Sequence, residues 1–147
     1  MKRILAILIF SLASSIPAAA QDSSRKFPLA KPFKVISISG FDVQKAGMTF
    51  TVAPGAQGGN LTDNGSAGCN TWTASVLLRE EQIEFTNIVT TRKLCPKPRM
   101  TSEEEFLTTL KSAQRWRIDD KGRLIVEGEA ARLLFTAAAG DKPSPKK

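Results

Sequence analysis

The sequence predicts a small α+β domain: a mainly antiparallel β-sheet or partly closed barrel with one packed α-helix. Three observations point there. Short β-branched and aromatic segments alternate with polar residues along most of the chain, and the connections between them are brief. One stretch, near Thr101 to Ala113, carries apolar residues at helical spacing instead. The chain's two cysteines, Cys69 and Cys95, offer a single staple across the assembly.

Taken in order, Gln21 to Pro32 is polar and basic and reads as a loose leader. Phe33-Lys34-Val35-Ile36-Ser37-Ile38 partly alternates and forms a first strand, ended by Gly40. Met48-Thr49-Phe50-Thr51-Val52 alternates apolar and polar, a second strand stopped by Pro54-Gly55. Ala56 to Gly65 holds Gly58, Gly59, Asn60, Asp63 and Asn64 and reads as a loop or hairpin end. Trp72, Ala74, Val76 and Leu78 share one face of a third strand. Ile83, Phe85 and Asn87 share a face of a fourth, with Ile88 and Val89 close behind. Lys93 to Arg99 is basic, contains Pro96 and Pro98, and reads as a loop.

The helix is expected to begin at Thr101 or Ser102. Thr101 with Glu104, and Ser102 with Glu105, have the spacing of a capping box, and Glu103 to Glu105 would then sit in the first turn, where the helix dipole favours negative charge. Phe106, Leu107, Leu110 and Ala113 fall on one side. Three hairpin-like strands follow: Arg115 to Ile118, a turn at Asp119 to Gly122, Leu124 to Val126, a turn at Glu127 to Glu129, and Arg132 to Phe135. That makes about seven short strands in a domain spanning 33–137. Residues 138–147, with Pro143 and Pro145, read as a disordered tail.

The N-terminus reads as an export signal. Lys2 and Arg3 precede an apolar run from Ile4 to Phe10, and Ala18-Ala19-Ala20 forms a small-residue cleavage site. The competing reading, a membrane anchor, needs about 20 apolar residues, and this run is shorter and broken by Ser14, Ser15 and Pro17. Nothing later is apolar enough to span a bilayer. Cleavage after Ala20 leaves 127 of the 147 residues, and the formal charge of +7 drops to +5 as Lys2 and Arg3 depart. That balance weakly favours anionic partners and does not mark a nucleic-acid binder. A periplasmic or secreted monomer is the expectation.

In an oxidising compartment the cysteine pair is most simply a Cys69–Cys95 disulfide, with two free thiols as the alternative. Closing that loop would stabilise by roughly 3.5 kcal/mol on the chain-entropy argument. Two cysteines without any histidine make too few ligands for zinc, and no metal or cofactor is expected.

Several of these pieces resemble the META domain, also called the HslJ-like domain. Gly68-Cys69-Asn70, the Thr91 to Cys95 segment, Met100 and Glu105-Phe106 stand where that family carries Gly-Cys-Asn, Thr-x-x-x-Cys, Met and a Glu-Phe helix. The hairpin from Trp116 to Val126 and the closing Leu134-Phe135 are similar to the family's end. The chain departs at its first strand, Phe33-Lys34-Val35, where the family often has Trp-x-Leu. The resemblance implies a compact α+β domain of bacterial envelope or secreted proteins, linked in general terms to stress response and motility. It implies no established catalytic activity.

Candidate functional residues are sparse. Without histidine a conventional catalytic triad cannot form, though a Ser-Lys pair remains open. The helix start accounts for Glu103 to Glu105, a turn accounts for Asp119 and Asp120, and core packing accounts for Trp72 and Trp116, with stacking on a ligand as the alternative for the two tryptophans. Asn70 reads as a turn residue that imitates a peptide group, with a binding role as the alternative. Arg92, Lys93, Lys97 and Arg99 flank Cys95 and form the one candidate binding surface, for an envelope protein or an anionic envelope component, with an ordinary solvated basic loop as the alternative. The expected function is therefore non-enzymatic binding in the envelope. A carrier of small apolar ligands and an enzyme of unknown type are the alternatives.

Overall fold

Phe33 and Val35, two residues apart, are both buried, as alternation requires. They belong to β1 (Phe33–Ile38), the first strand of an antiparallel barrel in a computed structural model that describes residues 26–56 and 59–138. The export signal, the start of the leader and the tail beyond 138 lie outside the described residues.

After β1 come a two-residue β2 (Phe41–Asp42), a 3₁₀ turn (Gln44–Ala46), β3 (Thr49–Pro54), β4 (Leu61–Ser66), β5 (Thr71–Arg79) and β6 (Gln82–Thr90). Then follow α1 (Lys97–Lys111), β7 (Ala113–Ile118), β8 (Leu124–Gly128) and β9 (Arg132–Ala137). Neighbours pair in the order β1-β3-β4-β5-β6-β7-β8-β9, and β9 returns to β1, so eight strands close the barrel. Closure removes the open edges that a sheet of this size would expose. Most seams carry several rungs, but β6 meets β7 through a single bridge, Gln82 with Arg115, beside the Trp116 N–H bond to the Glu81 carbonyl at 2.8 Å.

The interior is filled. Phe50 is fully buried, its ring 4.6 Å from Phe135, 5.9 Å from Phe85 and 6.4 Å from Trp72. The predicted face of β5 holds, with Trp72, Ala74 and Val76 buried and Leu78 packed against the core. Helix α1 lies against β6, β8 and β9 and buries Phe106, Thr109 and Leu110. Phe106 meets Trp72 edge-on at 5.5 Å.

Five expectations need correction. First, Leu61 to Ser66 is a strand, not a loop: β4 pairs with β5 along its length and with β3 from Leu61 to Asn64. Its only fully buried side chain is Asp63, so no apolar alternation marked it. Gly65 stands where a Cβ would collide with the Thr49 carbonyl, which lets β4 approach β3 closely. Second, α1 begins at Lys97, four residues before Thr101. Pro98 fits the first turn because its missing N–H has no helical acceptor there in any case.

Third, the capping boxes do not form. Thr101 and Ser102 donate back to the carbonyls of Lys97 and Pro98 instead. Fourth, Asn87 has φ of 52° at an irregularity in the β5–β6 register, which turns it outward and hands the inward position to Ile88. Fifth, the leader packs before Pro32: Phe27 is buried and sits 4.9 Å from Trp116, and the Ala30 N–H reaches the Val52 carbonyl at 2.7 Å.

Candidate functional site

The turn between β4 and β5 places Gly68, Cys69 and Asn70 at one end of the barrel. Gly68 has φ of 101°, a conformation that disfavours a Cβ. Cys69 and Cys95 are bonded, with Cα atoms 6.0 Å apart. The bond fastens the segment that leaves β6 to the β4–β5 turn. It is compatible with an oxidising compartment outside the cytosol.

Asn70 forms the polar centre of this end. Its Oδ1 accepts from the Thr91 hydroxyl at 2.8 Å and the Lys93 N–H at 2.7 Å. Its Nδ2 donates to Glu103 Oε1 at 2.7 Å and to the Lys93 carbonyl at 3.4 Å. Its backbone N–H donates to Glu103 Oε2 at 2.7 Å, and its carbonyl accepts from the Ala67 N–H at 2.7 Å. One buried side chain thus ties together the β4–β5 turn, the strand exit and the helix. The turn-mimic reading of Asn70 captured the contact with Lys93 backbone but not the reach to α1.

Glu103 is the helix carboxylate that binds Asn70, a role that the dipole reading of the sequence did not include. Glu105, expected as part of the structural motif, is exposed, while its neighbour Phe106 is fully buried. Met100 lies in the first turn of α1 and is 41% exposed. A helix start at Lys97 would have revealed Glu103 as facing back toward the turn; Pro96 and Pro98 hid that start.

Arg92, Lys93, Lys97 and Arg99 are all exposed, and none enters an ion pair among the described residues. The disulfide and the Asn70 bonds fix the backbone on which Arg92 and Lys93 stand. Lys97 and Arg99 occupy the first turn of α1, which holds no acidic residue. Positive charge is disfavoured there by the helix dipole. From Thr91 to Thr101 every residue is exposed except Cys95, which is partly covered.

Sequence reasoning missed one further group. Asp63 points into the barrel and is fully buried. Its Oδ1 accepts from the Thr51 N–H at 2.8 Å, and its Oδ2 has no partner. Burial pushes its carboxyl from the ordinary 3.8 up to about 8, against the pull of the Thr51 and Asn64 N–H groups. No pattern in Thr62-Asp63-Asn64-Gly65 distinguishes such a residue from a turn aspartate. Asp119, by contrast, is the turn residue expected: its Oδ1 accepts from the N–H groups of Lys121 and Arg123.

These features define a class: a closed antiparallel barrel with one packed helix and a disulfide-fastened basic end. The sequence matches the META domain over residues 28–140, more than half of the chain, and the protein belongs to that family. A solved structure described as the NMR structure of the protein from Burkholderia xenovorans is similar in fold. It has a TM-score of 0.61 at 17% identity, covering 76% of this chain and 83% of the other. No curated protein matches the sequence. Among the described residues no helix is long and apolar enough to cross a membrane, and no group of three or more acidic or cysteine side chains is placed to hold a metal ion.

Proposed function

We propose that this chain is an exported, non-enzymatic binding module of the cell envelope that works as a monomer. Its basic end, built from Arg92, Lys93, Lys97 and Arg99, faces an anionic envelope component or an acidic protein surface. A role in stress tolerance is part of the same proposal and rests on the family alone.

The observation that carries it is the set of four exposed cations without ion-pair partners among the described residues, two of them at a helix start that disfavours positive charge. Local choices that work against stability are expected where a surface serves a partner. The filled interior favours a surface binder over a carrier of apolar ligands, since Trp72, Phe33, Phe50, Phe106 and Phe135 occupy the space a ligand would need.

The test compares the native protein with a variant carrying Ala at all four positions. Binding to vesicles containing anionic lipid, and to a soluble phosphorylated envelope glycan, is measured across a salt series. Native binding should weaken between 0.1 M and 1 M salt, as the screening length falls from about 10 Å to about 3 Å. Equal binding by the two proteins to both targets would return the basic end to an ordinary solvated surface.

A further inference from the structure

Leu94 is 92% exposed, more than any other large apolar side chain among the described residues. It stands in the middle of the basic segment, after Arg92 and Lys93 and before Lys97 and Arg99, and no acidic residue lies between Thr91 and Ser102. Nor is its exposure the result of a slack loop. Lys93 is held on one side by its N–H and carbonyl to Asn70, at 2.7 and 3.4 Å, and Cys95 is held on the other by the disulfide. Leu94 is therefore presented outward by fixed neighbours and cannot fold back onto the core without breaking them.

We propose that this end of the barrel seats on an anionic lipid bilayer, with Leu94 entering the interfacial region and the four cations meeting lipid phosphates around it. The proposal rests on the anion-facing reading above and names its partner. Two requirements decide between a bilayer and a protein. A projecting leucine flanked by cations along its segment needs an apolar recess bordered by negative charge. On a protein that recess must be built at one matching place. An anionic bilayer presents it everywhere, because acyl chains lie just beneath the phosphate layer. Met100, partly exposed in the first turn of α1, adds apolar surface to the same segment.

Phe41 provides the contrast. It is 73% exposed, but the residue that follows it in its strand is Asp42, a carboxylate rather than a cation.

The test uses the purified, oxidised protein with two kinds of vesicle: phosphatidylcholine alone and phosphatidylcholine mixed with phosphatidylglycerol. Soluble phosphorylated glycan serves as an anion without acyl chains. The native protein should sediment with the anionic vesicles only. Leu94→Ser should weaken that binding by about tenfold, the scale expected for withdrawing part of a leucine from an apolar phase, and should leave glycan binding unchanged. Leu94→Trp should show a blue-shifted emission on anionic vesicles, quenched by brominated acyl chains. Because Leu94 makes so little contact with the fold, thermal melts of both variants should match the native protein.

Unchanged vesicle binding by Leu94→Ser, together with loss in the fourfold Ala variant, would overturn insertion and leave the anion-facing reading standing. Glycan binding without vesicle binding would overturn the bilayer as partner and again leave that reading intact. Equal binding by native protein and fourfold variant to every target would remove both.

Discussion

Asn70 and Asp63 are both buried polar residues, one at the rim of the barrel and one inside it, and they differ in how fully they are partnered. Every donor and acceptor of Asn70 is engaged, from its own N–H to both ends of its amide. Asp63 has one oxygen bonded and one with no partner. A satisfied buried group joins elements, because breaking it leaves several partners stranded. A half-satisfied acid can stay inside only as its neutral form, so its tolerance depends on protons.

The largest expected effect breaks the comparison at Asp63. In the folded chain its carboxyl keeps its proton up to about pH 8, whereas unfolded it would lose it near 3.8. The native state therefore binds more protons between these values, and stability falls as pH rises across that window. The contribution is fully present below about pH 4 and gone above about pH 8, on the order of 5 kcal/mol in total. Asp63→Asn keeps an acceptor for the Thr51 N–H and removes the titration. Denaturant melts of the two proteins from pH 4 to pH 8 should show the variant gaining on the native chain as pH rises. Parallel curves would mean that Asp63 is hydrated or ionised inside the barrel.

The middle effect concerns what else holds the rim. Cys69→Ala should destabilise by about 3 kcal/mol, through the freed unfolded chain. If the Asn70 bonds hold the rim on their own, the Lys93 and Asn70 amides should keep their protection from hydrogen exchange in this variant. Loss of that protection would make the disulfide the organiser and Asn70 its dependant.

The smallest effect sharpens the comparison at Glu103. Glu103→Gln keeps one acceptor but turns the second oxygen into a donor that faces the Asn70 N–H or Nδ2. The expected cost is about 1.5–2 kcal/mol, the lower part of the range for a hydrogen bond to a charged group. A cost near zero in chemical denaturation would show that the carboxylate's charge contributes nothing at this site.

Much of this architecture was legible before any coordinates. The alternating runs became β1, β3, β5 and the three final strands, the cysteine pair became a disulfide, and Phe106 and Leu110 became the inner face of the helix. These are features that local pattern determines. What failed to show was set by neighbours. β4 is polar in sequence and is a strand because β3 and β5 supply bonds on both sides. The helix start hid behind Pro98, which breaks helices everywhere except in their first turn. The roles of Glu103 and Asp63 depend on which residues lie across space, and no spacing along the chain encodes that. The cations of the basic end were visible as a cluster, while the firm backbone beneath them was not.

Closure by β1 and β9 has a mechanical consequence. Phe33 sits opposite Ala137, and the Ala138 N–H bonds the Pro32 carbonyl just outside the last rung. The ends of β1 and β9 that lead to the flanking segments lie side by side. Once Phe27 and Ala30 had come away from Trp116 and Val52, a pull on the two flanking segments would load these rungs one after another, as a zipper opens, rather than all together in shear. The seam that closes the circumference would then be the one that tension opens, rung by rung, from this end.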